Sequence, residues 1–183
     1  MGRLVYGMLQ SLDGYIADSS GRITLPVPGA ALHRHFNDGM RRTALSVYGR
    51  RMWETMRYWG EPDPQRDAVA DQFAELWQAT PTVVVSTTLT VVPDGVELVR
   101  DDAVERVRAL KEQYEGEIEV SGAELAASLG RAGLIDEYRM YLQPVVLGEG
   151  RPYFAAGFRP ELRLVRTESL PQDVVLAVYA PMG

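Results

Sequence analysis

Through three quarters of this chain, short β-rich runs alternate with segments of helical period. That alternation leaves few folds open. Leu4 to Leu9, Ala44 to Tyr48, Thr82 to Ser86 and Glu117 to Val120 read as buried or half-buried strands. A brief strand also follows the Pro93-Asp94-Gly95 turn within Val91 to Val99. Between them, Ala30 to Thr43, Gln65 to Ala79, the stretch from an Asp101 cap to about Tyr114, and Ala123 to Ala132 carry apolar residues at helical spacing. Tyr138 to Leu147 is a further strand, interrupted by Pro144. Glu161 to Leu170 and Val174 to Ala180 alternate with period two and are joined by Pro171-Gln172-Asp173. The expected fold is α/β: a mostly parallel sheet flanked by helices, with a C-terminal antiparallel strand pair. No repeat, low-complexity tract or linker divides the chain, so one domain over residues 1–183 is expected.

Composition narrows the function classes. A net charge of −6 argues against a general nucleic-acid binder. The absence of Cys removes disulfides, thiolate nucleophiles and Cys-based zinc sites. His33 and His35 lie two apart on a helix, point to different faces, and are expected to be exposed and to share no metal. With no signal-peptide pattern and no apolar run near the ~20 residues of a membrane span, a cytoplasmic protein without membrane partners is expected.

Ligands of open α/β sheets bind beyond the carboxyl ends of the strands. Four loops leave such ends: Ser11–Gly14, Gly49–Met52, Ser86–Thr88 and Ser121–Glu124. The second places Arg50 and Arg51 after a Gly and at a helix start, where free amides and guanidiniums suit phosphate oxygens. The same pair is also compatible with a solvated surface turn. Ser86 and Thr87 supply hydroxyls that either meet a ligand or cap a turn. The Rossmann Gly-x-Gly-x-x-Gly and the Walker pattern are absent, and Gly148-x-Gly150 reads as a flexible turn.

Five segments in order resemble the dihydrofolate reductase-like fold and, within it, stand-alone relatives of the pyrimidine reductase domain of riboflavin biosynthesis. They are Ser11-Leu12-Asp13-Gly14-Tyr15-Ile16-Ala17, Gly49-Arg50-Arg51-Met52-Trp53-Glu54, Val84 to Leu89, Val120 to Leu125, and Asp136-Glu137 through Pro144 to Phe154. The resemblance implies an NADPH-dependent reductase of a small, heterocyclic substrate. It places Gly49, Arg50, Arg51 and Met52 around the 2′-phosphate and pyrophosphate, and Ser86 and Thr87 at the adenosine end. Gly122, Ala123, Glu124 and Leu125 would offer helix-start amides to the pyrophosphate, and a cis peptide is expected at Gly122–Ala123. Leu9 and Ile16 would flank the nicotinamide, with Ser121 close to its ring. Asp13 is the carboxylate nearest that end and the candidate catalytic residue, although Asp before Gly also makes an ordinary turn. Folate reductases carry a carboxylate on the first helix; here that position falls at Leu32 or His33, which argues against folate as substrate. The missing cysteines also exclude the zinc deaminase partner of the bifunctional riboflavin enzyme.

Trp53 and Trp77 are expected in the core. Trp59 is expected in a loop as a pocket wall, and Tyr153, with Phe154, as a residue closing the substrate pocket. The resemblance implies a homodimer, with the Tyr138–Val146 strand pairing or packing across a two-fold axis. Two alternatives to the reductase stand: a non-catalytic nucleotide- or flavin-binding module of the same fold, and a dimerisation domain without ligand.

Overall fold

The structure, a computed structural model, describes residues 1–182. An eight-stranded sheet spans the chain. Its parallel part comprises β1 (Arg3–Ser11), β3 (Thr43–Gly49), β4 (Thr82–Val85), β5 (Val96–Val99), β6 (Glu117–Ser121) and β7 (Glu137–Gln143). β9 (Leu162–Leu170) and β10 (Val174–Pro181) form the antiparallel pair, and the order is β5-β4-β3-β6-β1-β7-β10-β9. A small second sheet joins β2 (Tyr15–Ala17) to β8 (Arg151–Pro152).

The helices are α1 (Ala30–Met40), α2 (Arg50–Met56), α3 (Ala68–Ala79), α4 (Ala103–Gln113) and α5 (Ala123–Arg131). Alternation along the strands assigns them to two layers. Leu45, Val47 and Val83 face α4 and α5, packing with Val107, Leu110, Leu125 and Leu129. Tyr48 and Val84 face the other way, onto Met40, Trp53, Phe73 and Trp77 from α1, α2 and α3. Trp53 and Trp77 stack with centroids 6.0 Å apart, and the Trp77 indole donates to the Tyr48 hydroxyl at 3.0 Å, so both tryptophans are core as expected.

Helix ends depart from the sequence reading for local reasons. α3 starts at Ala68, not Gln65, because the Asp67 carboxylate accepts from the Val69 and Ala70 amides at 3.0 and 2.8 Å. Asp102, rather than Asp101, occupies the cap position of α4, in a left-handed conformation with φ 52° and no side-chain bond. β7 stops at Gln143, because Pro144 has no amide for the ladder. β7 also pairs with β1 on one side and β10 on the other. Its edges are both occupied, so of the pairing or packing expected across a two-fold axis, edge pairing through this strand is excluded.

Candidate functional site

Six parallel strands end on one edge of the sheet, and the loops singled out from sequence all leave it. β1 and β3 send their crossovers through helices on one face, whereas β6 between them sends its crossover through α5 on the other. A reversal of this kind opens a crevice at the strand ends. Gly49 caps α2 and Gly122 caps α5, neither with a side-chain bond. A Cβ on Gly122 would lie 3.7 Å from both Cα and N of Gly49, so the two helix starts abut. Gly122 has φ +119°, where an L side chain is strained. The first amides of α5, on Ala123, Glu124 and Leu125, precede its first intrahelical bond, from Ala126 N to Gly122 O. Their positive dipole end suits an anion. The Leu125 side chain packs into the core, so only its amide is available to the crevice. The structure contains no cis peptide among the described residues, so the one expected at Gly122–Ala123 is trans.

Arg50 points along this edge. Its guanidinium donates to Glu54 at 2.8 Å and to the Thr88 hydroxyl at 2.7 Å, joining α2 to the loop after β4, and stays half exposed. Arg51 is exposed, and its guanidinium has no partner among the described residues. Ser86 is buried and acts as the turn cap: its hydroxyl accepts from the amides of Thr88 and Leu89 at 3.2 and 3.0 Å. Thr87 is exposed beside it. Glu54 and Leu89 border a groove of about 1460 Å³ that continues past Trp53, Trp77 and Val92. Met52 is half-buried and packs on the α1–α3 side of the sheet.

Leu9 and Ile16 are both half-buried at the end of β1 and in β2, and Ser121 is buried at the end of β6. Asp13 is exposed in the turn between β1 and β2. Its carboxylate accepts from the amides of Leu147 and Gly148 at 3.1 and 2.7 Å. A Ser11 hydrogen bond, followed by those two amides, holds its carboxyl below the usual range. A group kept ionised in this way is a clamp on the 147–148 loop and a poor proton donor. The same contacts overturn the reading of Gly148–Gly150 as a free turn. Gly150 approaches so closely that a Cβ there would sit 2.2 Å from the Ala17 carbonyl oxygen.

Two substrate candidates move. Tyr153 is 2% exposed; its hydroxyl donates to the Tyr6 carbonyl at 2.9 Å while the Tyr6 hydroxyl donates to the Tyr153 carbonyl at 2.8 Å. It is a core residue, not a pocket wall, because burial of its ring and pairing of its hydroxyl leave nothing for a ligand. Trp59 lies in a 3-10 turn, Arg57–Gly60, rather than a loop. Its ring packs 4.7 Å from Phe73 and 5.6 Å from His33, half-buried between α1 and α3. His33 and His35 are half-buried rather than exposed, and burial lowers the pKa of each.

The sequence reading missed the opposite face of β6. Ile118 and Val120 point to α4 and α5, so Glu117 and Glu119 alternate toward the α1 side. That alternation was legible. In a sheet covered on both faces, it placed carboxylates beneath a helix layer rather than in solvent.

An edge with two uncapped glycine-led helix starts, a cationic corner and a crevice between oppositely crossing strands defines a dihydrofolate reductase-like α/β protein. Residues 3–176 match the model of the RibD C-terminal domain family, and the chain belongs to that family. The chain is 29% identical over 182 residues to YyaP of Bacillus subtilis (strain 168), an uncharacterized protein, covering 97% of this chain and 94% of that one. Among solved structures, a Shewanella sp. PV-4 protein assigned to riboflavin biosynthesis superposes with a TM-score of 0.76 at 24% identity, over 100% of both chains. Enterococcus faecalis dihydrofolate reductase complexed with NADP(H) superposes with a TM-score of 0.67 at 16% identity, over 99% of this chain and 97% of that one.

Proposed function

We propose that this protein is an NADPH-dependent reductase of a small heterocyclic substrate, working as a cytoplasmic homodimer. The observation that carries the reading is the pair of uncapped helix starts at Gly49 and Gly122, in contact with each other and flanked by Arg50 and Arg51. These groups fit a dinucleotide bearing an additional phosphate. The amides of Ala123, Glu124 and Leu125 hold the pyrophosphate, Arg50 and Arg51 meet the 2′-phosphate, and Ser86 and Thr87 shape the adenosine end. Leu9, Ile16 and Ser121 border the ring that supplies a hydride when the cofactor is bound. Arg50 is not lost to Glu54: an exposed pair of this kind contributes only about 0.2–1 kcal/mol, less than a charge-assisted fork onto phosphate.

Asp13 serves the reading as a positioning residue. Its carboxylate ties the β1–β2 turn, which leads to Ile16, to the loop after β7. One observation favours the second reading, a module that binds nucleotide without turnover: α1 offers fully buried Leu32 and packed His33 where an acid would be needed for folate chemistry.

Titration of Trp fluorescence with NADPH and NADH tests the proposal. NADPH should bind at least about tenfold tighter, and Arg50→Ala should bring NADPH close to NADH, a loss of about 1.4 kcal/mol. Equal affinity for both cofactors in the unmodified protein would remove the basis for the assignment. Firm binding with no NADPH consumption across pteridines, pyrimidines and quinones would favour the module.

A further inference from the structure

The loop after β4 reaches the arginine corner through Thr88, not through the two hydroxyls that precede it, Ser86 and Thr87. Gly49 and Val85 are partners in register, so Arg50 and Ser86 leave neighbouring parallel strands at the same level. Arg50 Nη1 donates to Thr88 Oγ1 at 2.7 Å, and Arg50 Nε donates to Glu54 at 2.8 Å. The guanidinium is therefore gripped from two sides, by its own helix and by the loop. Its remaining N–H groups have no acceptor among the described residues, and half of the side chain is exposed.

A hydroxyl carries one proton and two lone pairs, so the direction of each bond in the loop can be counted out. Ser86 Oγ accepts from the amides of Thr88 and Leu89, which fills its lone pairs. It lies 3.4 Å from Thr88 Oγ1, so Ser86 donates in that contact and Thr88 accepts. Thr88 Oγ1 then accepts from both Ser86 and Arg50, and its own proton has no acceptor among the described residues. Thr88 is exposed. A free O–H thus stands beside free N–H groups, in a corner with more donors than acceptors. The loop is anchored on both sides of Thr88: the Ser86 amide donates to the Val99 carbonyl at 2.9 Å, and Arg100 donates to the Thr90 carbonyl at 2.9 Å.

We propose that Thr88 and Glu54 complete the phosphate subsite at Arg50. The Thr88 hydroxyl is a second direct donor to the 2′-phosphate, and Glu54 is a positioning residue that acts through Arg50. A phosphate group offers the acceptors that this corner lacks. A long side chain loses freedom when it binds, and a guanidinium already held by Glu54 and Thr88 has less to lose. The charge of Glu54 opposes a phosphate, but water and salt screen it at this exposed corner, and its grip on Nε prevails.

This inference rests on the NADPH reading of the site. Trp quenching by NADPH and by NADH tests it. Thr88→Val removes the hydroxyl at nearly constant shape and should weaken NADPH binding at least about fivefold, with NADH within about twofold. Thr88→Ser keeps the O–H and should restore NADPH binding. Glu54→Ala should weaken NADPH about threefold or more and spare NADH, although it removes a negative charge. Glu54→Gln keeps an acceptor for Nε and should bind NADPH at least as tightly as the unmodified protein. In an Arg50→Ala background, Glu54→Ala should have no further effect. Tighter NADPH binding in Glu54→Ala would make the acid a competitor for Arg50 and overturn its positioning role. Equal losses for NADPH and NADH in Thr88→Val would make the hydroxyl a loop contact and overturn its donor role. A preference for NADPH that survives both variants overturns the whole proposal and leaves the cofactor reading standing. Equal affinity for the two dinucleotides in the unmodified protein, or no binding of either, overturns both.

Discussion

Asp13 illustrates how much a residue's role depends on what its oxygens already hold. From the sequence it was the one carboxylate near the presumed reaction end. In the structure both oxygens accept backbone amides, and the pKa is lowered, by the Ser11 hydrogen bond first. A depressed folded pKa means the clamp is in place above the ordinary carboxylate range near ~4 and is lost as pH falls through the folded value. The protection of the Gly148 amide, its exchange rate relative to the intrinsic rate at the same pH, should therefore be high at pH 6, fall below the usual carboxylate range, and be low at both pH values in Asp13→Asn. An amide equally protected in the variant would show that the loop holds itself. Tyr153 carries a similar lesson. Its place after a glycine loop was legible, but its reciprocal bonding with Tyr6, 147 residues away, was not. Tyr153→Phe leaves the Tyr6 carbonyl without this donor and should cost about 1–3 kcal/mol in urea unfolding. NADPH affinity should not change, since the residue lies in the core. The arginine corner was readable because Gly-Arg-Arg after a strand is a local pattern. The division of Arg139 between Glu117 and Glu137 was not, because it is set by register across three strands.

Strands and helices were readable wherever period and punctuation agreed, and α5 shows the limit. Gly133 marked its end correctly: Gly133 has φ +67°, its amide reaches Gly130 O, and Leu134 N reaches Leu129 O, a Schellman closure. Gly130, one turn earlier, gave no local signal. A Cβ there would sit 2.3 Å from Phe158 Cζ and 2.8 Å from the Tyr138 hydroxyl, so the helix reaches this packing only as glycine. Gly130→Ala should destabilise by about 1–3 kcal/mol through overpacking, read as a lower urea midpoint. Gly39 in α1 makes the contrast. Nothing lies within 4 Å of its absent Cβ. Gly39→Ala should therefore stabilise by about 0.4–1 kcal/mol, by helix propensity and by restricting the unfolded chain. If both substitutions shift the midpoint the same way, close packing is not what distinguishes the two sites. Tertiary approach of this kind involves residues far apart in sequence, which is why periodicity placed α5 but could not rank its glycines.

At the scale of the whole molecule, the alternation of elements pointed to the parallel sheet and the hairpin that closes it, but not to the strand left at the margin. Apolar content made β7 the expected contact for a second copy, whereas apolar content in a strand paired on both sides reflects burial within the sheet. The strand order leaves two edges, β5 and β9, and the longer is β9, exposed from Arg163 to Ser169, with Leu164 at 55% and Val165 at 49%. This nine-residue edge is bulged at Val165 against β10, and its unpaired backbone groups on the outer side remain a template for another strand. Antiparallel pairing of β9 with a second β9, about a two-fold axis between Val165 and Arg166, sets Arg163 of each copy against Glu168 of the other. Charge therefore favours the self-pairing register rather than opposing it. The homodimer proposed above should form through this strand. Light scattering after gel filtration should then give a dimer for the unmodified protein and a weaker one for Glu168→Arg, which places like charges opposite. Arg163→Glu combined with Glu168→Arg should restore it. Glu168 also bonds Arg166 on its own strand, so a loss in the single variant alone would be ambiguous. Recovery in the double variant is the discriminating result, because the exchange re-pairs the charges across the axis while Arg166 gains nothing from it. A dimer indifferent to all three substitutions would move the interface away from β9.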